Sequence, residues 1–536
     1  MPKNNYDSND NSLEIKPQKT LTQNIAQWLK NGTRLILFPL TQPLMAVGIF
    51  PAQALSTLKK LPVIKSVIGF ITRKIGNDSR SAAQTYEEDF LHKSTQQGNT
   101  NLWGRVQSWF NKNPKSAPFT TLNLQVNEVS RTPYTTDFGR EVSLETFSFQ
   151  HVEFESLSQD TKYYRLHCSG NSGNCSRFFP ELAQLSQQHN DLKTITYNHP
   201  GVEGSDGVTM SQDDLVNALY AQVKDLLKSG VPPQNIELSG FSIGAATAAI
   251  TAKKLLKEGI EVNLFCDRTL STMPEVVTDK LPILGAVFKL LKMIPGVKEL
   301  TQYVIQPIIS NLVIKPLLWL LNWDMNPAAA YNEIDAHKKA LTAVKPQSKG
   351  EEGSFLKSFG KYLGRFTGLF KQGNGDKTIA PHVSLLSGTE NPTQKAQWKA
   401  NLNTLKNTPI DQREELIKDL ETHAENAITS NAMKRLARAN KEGRSDDDLI
   451  SLAVVGDKAR RLQGVAAADA HNVTADKIMH RTVKGGTEGA LRASGLPAES
   501  AGNLLTYYSM FHQAIKSNNQ LNEEDSLAAS NNSSPL

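Results

Sequence analysis

The chain has 536 residues, 39% hydrophobic and 21% charged, with a formal net charge of +6 at pH 7. That is enough apolar sequence for one large domain with insertions or two to three ordinary ones. The modest charge and the lack of any nucleic-acid-binding motif argue against nucleic acid as a partner. Three cysteines, Cys168, Cys175 and Cys266, are too few for a disulfide framework and have no zinc spacing, which suits a reducing compartment.

The first twelve residues are polar and carry no Sec-type signal. Residues 35–58 are uncharged and long enough to span a bilayer, but Pro39, Pro43 and Pro51 interrupt them. An interfacial or core-packed helical hairpin flanked by Arg34, Lys59 and Lys60 is the expected form. Residues 1–117 read as a helical extension open to membrane association.

Alternation at 121–126 and again at 142–149 predicts strands. A strand at 163–167, a helix at 180–188, a strand at 194–197 and a helix at 211–229 follow. Ile236 to Leu238 is a short buried-type strand, and Val262 to Phe265 another. Strands alternating with helices predict an α/β fold, with a mostly parallel central sheet and helices on both faces. The first part of this core spans 118–275.

Residues 276–330 read as a lid or cap: the apolar run 281–323 is punctuated by Pro282, Pro295, Pro307 and Pro316. Buried helices and a lid that meets lipid are both open. The core resumes over 331–516, with a strand expected at 341–344, a basic Gly/Phe-rich insertion at 346–375 and charged helices with solvated faces at 391–465. The Asn/Ser-rich end, 517–536, reads as a disordered tail.

One motif carries chemistry. Gly240-Phe241-Ser242-Ile243-Gly244 stands between a strand and an alanine-rich helix, the G-x-S-x-G nucleophile elbow. Glycines are needed where a side chain would strike the neighbouring strand or helix. The turn would expose Ser242 and aim the N–H of Ile243 at the same space. A second element is the glycine-rich loop Cys168 to Cys175, placed to present backbone N–H groups to an anion.

Six ordered blocks over about residues 140–475 resemble an alpha/beta-hydrolase branch that includes membrane-associated serine hydrolases of the Bem type. Ser169-Gly170-Asn171-Ser172-Gly173-Asn174 is similar to its His-Gly-Asn-x-Gly-Asn loop, with Ser169 in place of the histidine. Tyr197 to Gly201, the elbow, Asp267 to Ser271, Asp376 to Pro381 and Ala470-His471-Asn472 follow in the same order. The resemblance implies Ser242 as nucleophile, Asp376 as acid, His471 as base, and the N–H groups of Asn171 and Ile243 as the oxyanion hole. Asp324 and Asp267 stay open as acids. His480 and His382 are weaker candidates for the base, and His167 and His199 are expected to line the site instead.

The resemblance also implies hydrolysis of an ester or thioester, in the manner of a lipase, phospholipase or acyl-thioesterase, with no metal or organic cofactor. The expected partners are a lipid or acyl-ester substrate and a membrane surface. The alternative is an inactive hydrolase scaffold that binds a membrane or a host protein. The layout of the chain is similar to that of the SidB/Sdb-like effectors injected through type IV secretion. That implies a bacterial cytoplasmic origin and translocation into a host cell.

Overall fold

The computed structural model describes residues 124–454, apart from gaps at 137–138, 171–174, 203–204, 281–307, 343–382 and a few single positions, and residues 504–532. Seven strands form one sheet in the order β1-β2-β4-β3-β5-β6-β7. They are β1 (Leu124–Thr135), β2 (Glu141–His151), β3 (Tyr163–Cys168), β4 (Leu192–Tyr197), β5 (Ile236–Phe241), β6 (Asn263–Asp267) and β7 (Lys339–Thr342). β2 is antiparallel to both β1 and β4, and all the pairs from β4 to β7 are parallel.

The two classes of strand follow from the sequence pattern. β3, β5 and β6 are buried at every residue, as parallel strands covered on both faces require. β1 contains Pro133, which cannot donate to a ladder and is tolerated because β1 pairs only with β2, at the sheet edge. The sequence expectation at 121–126 caught only the start of β1.

Alternate strand residues feed two cores. One face takes Tyr164, Leu166, Leu238 and Leu264, covered by α2 (Gln212–Lys228), α3 (Ile243–Leu256) and α6 (Pro327–Glu333). The other takes Tyr163, Leu192 and Phe265. It is covered by α1 (Phe179–Gln188), α8 (Pro392–Asn407), α9 (Glu414–Thr422), α10 (Ala427–Lys441) and α11 (Leu504–Asn532). The charged helices expected over 391–465 are thus half-solvated: α10 buries Ile428, Ala432, Met433 and Leu436 against α11. Shorter helices α4 (Met273–Lys280), α5 (Lys315–Leu321) and α7 (Leu385–Thr389) lie beyond the C-terminal ends of the parallel strands.

The tail expected to be disordered from 517 is instead helical through Asn532. Its asparagines have partners that a sequence cannot show. Asn518 bonds Asn431 and the His337 carbonyl, and Asn519 bonds the Tyr163 hydroxyl and the Gln234 carbonyl. Arg438 pairs with Glu524 at 2.8 Å. Composition signals disorder only when the polar groups have no structure to satisfy them.

α11 is locked to the sheet by buried charge. Arg165 on β3 and Glu237 on β5 sit side by side in register, both fully buried. Arg165 Nε donates to Glu237 at 2.8 Å, and a second guanidinium N–H reaches the Tyr508 carbonyl at 3.1 Å. His512 Nδ1 donates to the other Glu237 oxygen at 2.6 Å. Burial alone would push the Glu237 carboxyl up; the Arg165 and His512 charges outweigh it and hold it at about 2. Removing one partner of such a group leaves an unpaired buried charge, at a cost of about 3–5 kcal/mol.

The expectation for Arg165→Met is a loss of that size in urea unfolding. Ending the chain after Lys516 should cost about 1–3 kcal/mol through the lost asparagine contacts. A neutral truncation would return the tail to the status of a solvated end.

Candidate active site

β5 ends at Phe241 and α3 begins at Ile243, so Ser242 is the whole turn. Its φ of 55° and ψ of −122° lie in a region that L-residues avoid, worth about 1–3 kcal/mol of strain. The neighbours impose it. A Cβ on Gly240 would stand 2.4 Å from the Gly244 carbonyl carbon, and one on Gly244 would stand 2.1 Å from the Cys168 carbonyl oxygen. Both atoms are backbone and cannot swing away. The strand, the helix and the end of β3 therefore meet at van der Waals contact only because these two positions are glycine.

The strained turn is held from behind. The Ser242 N–H donates to the Asp267 carbonyl at 3.0 Å, and its own carbonyl accepts from the Ala245 N–H and the Thr269 hydroxyl. The side chain is left partly exposed, and among the described residues none hydrogen-bonds its hydroxyl. Ile243 is the first residue of α3, so its N–H has no intrahelical acceptor and carries the positive end of the helix dipole. A nucleophile-type hydroxyl and a free donor share one space.

The glycine-rich loop after β3 lies against this turn. Gly244 packs on the Cys168 and Ser169 carbonyls, and Gly170 packs on the Phe241 ring. Asn171, the expected second donor, lies outside the described residues. What braces the loop is the turn after β4. Tyr197 Oη pairs with Cys168 Sγ at 3.2 Å, His199 Nε2 donates to the Ser169 carbonyl at 2.9 Å, and Asn198 Oδ1 accepts from the Cys175 N–H at 2.9 Å. His199 thus holds the loop by its backbone, beneath the site. Its spacing after β4 was visible in the sequence, but its partner was not.

The other candidates separate. Asp267 is fully buried and tied to Arg268, Thr342 and Tyr508. Arg268, itself at φ 45°, stacks over Phe241 at 4.6 Å. The Asp-Arg-Thr block therefore fastens the strand ends under the elbow. Asp324 accepts from Gln212 at 3.3 Å, where α5 joins α2. His167 is buried against Phe178, with Nδ1 3.1 Å from Ser239 Oγ; burial lowers its pKa to about 3. None of these side chains hydrogen-bonds the Ser242 hydroxyl.

Asp376, His382, His471 and His480 lie outside the described residues, as does the apolar segment 35–58. The chain on either side of them is informative. β7 ends at Thr342 beside the end of β6, and the chain re-enters at Val383, whose carbonyl accepts from the Ser271 N–H; Leu385 N–H donates to Thr269. The stretch carrying Asp376 leaves and returns along the Ser242 edge. α11 starts at this same edge, where Tyr508 meets Asp267, and runs down to Gln234 at the other.

Helix α5 covers the turn. Leu318 and Leu321 of α5 pack with Ile243, Ala246 and Leu270. The outer side exposes Leu312, Leu317 and Trp319.

A 1-2-4-3-5-6-7 sheet with an antiparallel first pair, and a strained serine between β5 and its helix, decides the architecture. The chain has the alpha/beta-hydrolase fold. No family model and no curated protein matches the sequence. Solved structures similar to it include an alpha/beta hydrolase from Vibrio vulnificus, 14% identical over 60% of this chain and 92% of that one, with a TM-score of 0.30. An esterase from Pyrococcus furiosus is 14% identical over 54% and 91%, with a TM-score of 0.26. Carboxyl esterase 2 from the mycorrhizal fungus Tuber melanosporum is 12% identical over 54% and 94%, with a TM-score of 0.27.

Two substitutions test the elbow. Gly244→Ala gains up to about 1 kcal/mol of helix propensity but meets backbone at 2.1 Å, and should lose about 3 kcal/mol or more overall. Ser242→Gly should raise stability by about 1 kcal/mol, since glycine accepts the backbone conformation without strain. A destabilised Ser242→Gly would show that the turn is not strained.

Proposed function

We propose that the chain is a serine hydrolase of carboxylic esters or thioesters, with Ser242 as nucleophile. The observation that carries this reading is the serine at φ 55° whose neighbour, Ile243, opens a helix with an unused N–H. Strained backbone that its surroundings hold in place clusters at active sites, where it aims a side chain.

In the proposed reaction, His471 takes the proton from Ser242 Oγ as the oxygen attacks the acyl carbonyl. Asp376 orients the imidazole and stabilises its charged form. The carbonyl oxygen, now anionic, is held by the N–H groups of Ile243 and Asn171, each worth about 3 kcal/mol in the transition state. Collapse expels the alcohol or thiol, which takes a proton from His471, and water then cleaves the acyl-enzyme by the same steps. Thr342 and Val383, the described residues on either side of Asp376, lie at the Ser242 edge and support its assignment, and α11, which follows the stretch carrying His471, starts at that same edge.

The exposed Leu312, Leu317 and Trp319, beside a lid that packs on Ile243, support a lipid or long acyl substrate taken from a membrane surface. An inactive scaffold remains the rival reading, with that same apolar patch as a docking face.

A fluorophosphonate probe separates the two. Wild type should label covalently, Ser242→Ala not at all, and His471→Ala and Asp376→Asn at rates lower by roughly 10⁴-fold. A folded wild type that stays unlabelled in detergent would favour the scaffold. Leu312→Ser with Trp319→Ala should slow hydrolysis of emulsified long-chain esters by about tenfold and leave soluble short-chain esters unchanged. Equal loss on both would remove the lid from substrate choice.

A further inference from the structure

At the opposite edge of the sheet from Ser242, at the N-terminal ends of the strands, His189, Asp191 and His512 converge. All three are buried, and one donor atom from each lies within 4.8 Å of the others. His189 and Asp191 flank the start of β4, and His512 is on α11. The group belongs neither to the elbow nor to any block of the sequence that carries the proposed hydrolysis.

Each residue has the surroundings of a ligand. His512 Nδ1 is held by Glu237 at 2.6 Å, which leaves Nε2 facing Asp191 Oδ1 at 3.3 Å. A carboxylate on the far nitrogen of a histidine is the usual partner that fixes a metal-binding tautomer. His189 is 5% exposed, its ring is 4.8 Å from that of His512, and its Nε2 has no partner among the described residues. Its Nδ1 lies 3.2 Å from the Gln513 amide. With that amide turned by 180°, an assignment that contacts alone must decide, Gln513 Oε1 accepts from Nδ1–H and Nε2 is free to ligate. An imidazole nitrogen buried with nothing to bond is costly in a folded interior and needs a reason.

His512 lies between the carboxylates of Glu237 and Asp191, and Lys516 holds the other Asp191 oxygen at 2.5 Å. The Lys516 side chain is 35% exposed and can turn to solvent when an ion takes its place on Asp191. Ligands of a tetrahedral ion with bonds of 2.0–2.1 Å stand roughly 3.3 Å apart, so the three residues must close in by up to about 1.5 Å on loading.

We propose that His189, Asp191 and His512 form a site for a divalent transition metal of the zinc type, which ties the C-terminal helix α11 to the sheet. Two imidazoles and one carboxylate are a donor set that suits zinc or cobalt, with water in the fourth place. The role is structural, remote from Ser242, and independent of whether the chain is a hydrolase.

The test uses the full-length chain, stripped with a chelator and titrated with Co²⁺ and then Zn²⁺. The proposal expects one Co²⁺ per chain with tetrahedral d–d absorption in the visible range, and a Tm raised by about 3–6 °C by excess Zn²⁺. His189→Ala should lose both while still melting cooperatively. Lys516→Met should bind Co²⁺ about tenfold more tightly, because the competing cation is gone. No uptake by wild type, or equal uptake by wild type and His189→Ala, overturns the site. If His189→Ala does not fold, Lys516→Met decides: tighter binding supports the site and unchanged binding overturns it.

Discussion

The contact between α3 and the end of β3, closed over Gly240 and Gly244, is the constraint on which the site depends. At 2.1 and 2.4 Å from backbone atoms there is no room for a methyl group. The turn between strand and helix is therefore compressed into a single residue. That residue has nowhere to put its backbone except φ 55°, and its side chain is left partly exposed. The same closeness brings the glycine-rich loop beside the serine and leaves the first N–H of α3 directed at the space between them. One packing condition thus yields the exposed hydroxyl, the donor and the neighbouring loop together.

The rest of the sheet end is built to keep that turn from relaxing. Asp267 anchors Arg268, Thr342 and Tyr508 from one buried carboxylate, so the ends of β6 and β7 and the start of α11 are fixed relative to one another. Thr269 and the Asp267 carbonyl hold the serine backbone. Tyr197, Asn198 and His199 hold the loop on the other side. A strain of 1–3 kcal/mol at one residue persists only where the surroundings over-determine it, and here three strand ends do so.

Much of this was legible in the sequence because it depends on local rules. The elbow needs two glycines and small helix residues at fixed spacing, and the strands need short runs of bulky residues between helices. Both can be read from one segment at a time. What was not legible depends on partners far away in the chain. His199 could be expected near the site, but its acceptor, the Ser169 carbonyl, is set by the fold. Asp267, left open as an acid, gives no hint in the sequence of Tyr508, 241 positions later. The tail misled for the same reason: asparagines that look unsatisfied in sequence are satisfied by Asn431, Tyr163 and Gln234. Asp376 and His471 rest on the ordered motif resemblance, and Asp376 also on the Ser242 edge where Thr342 and Val383 lie.

The measurement that bears most directly on the central claim is a crystal structure of the chain after reaction with a small alkyl phosphonate. The account predicts phosphorus bonded to Ser242 Oγ, a phosphonyl oxygen within hydrogen-bond distance of the Ile243 N–H, and His471 beside the serine. An unmodified Ser242 in a protein that has bound the reagent elsewhere would contradict it. So would an adduct whose oxygen points away from α3.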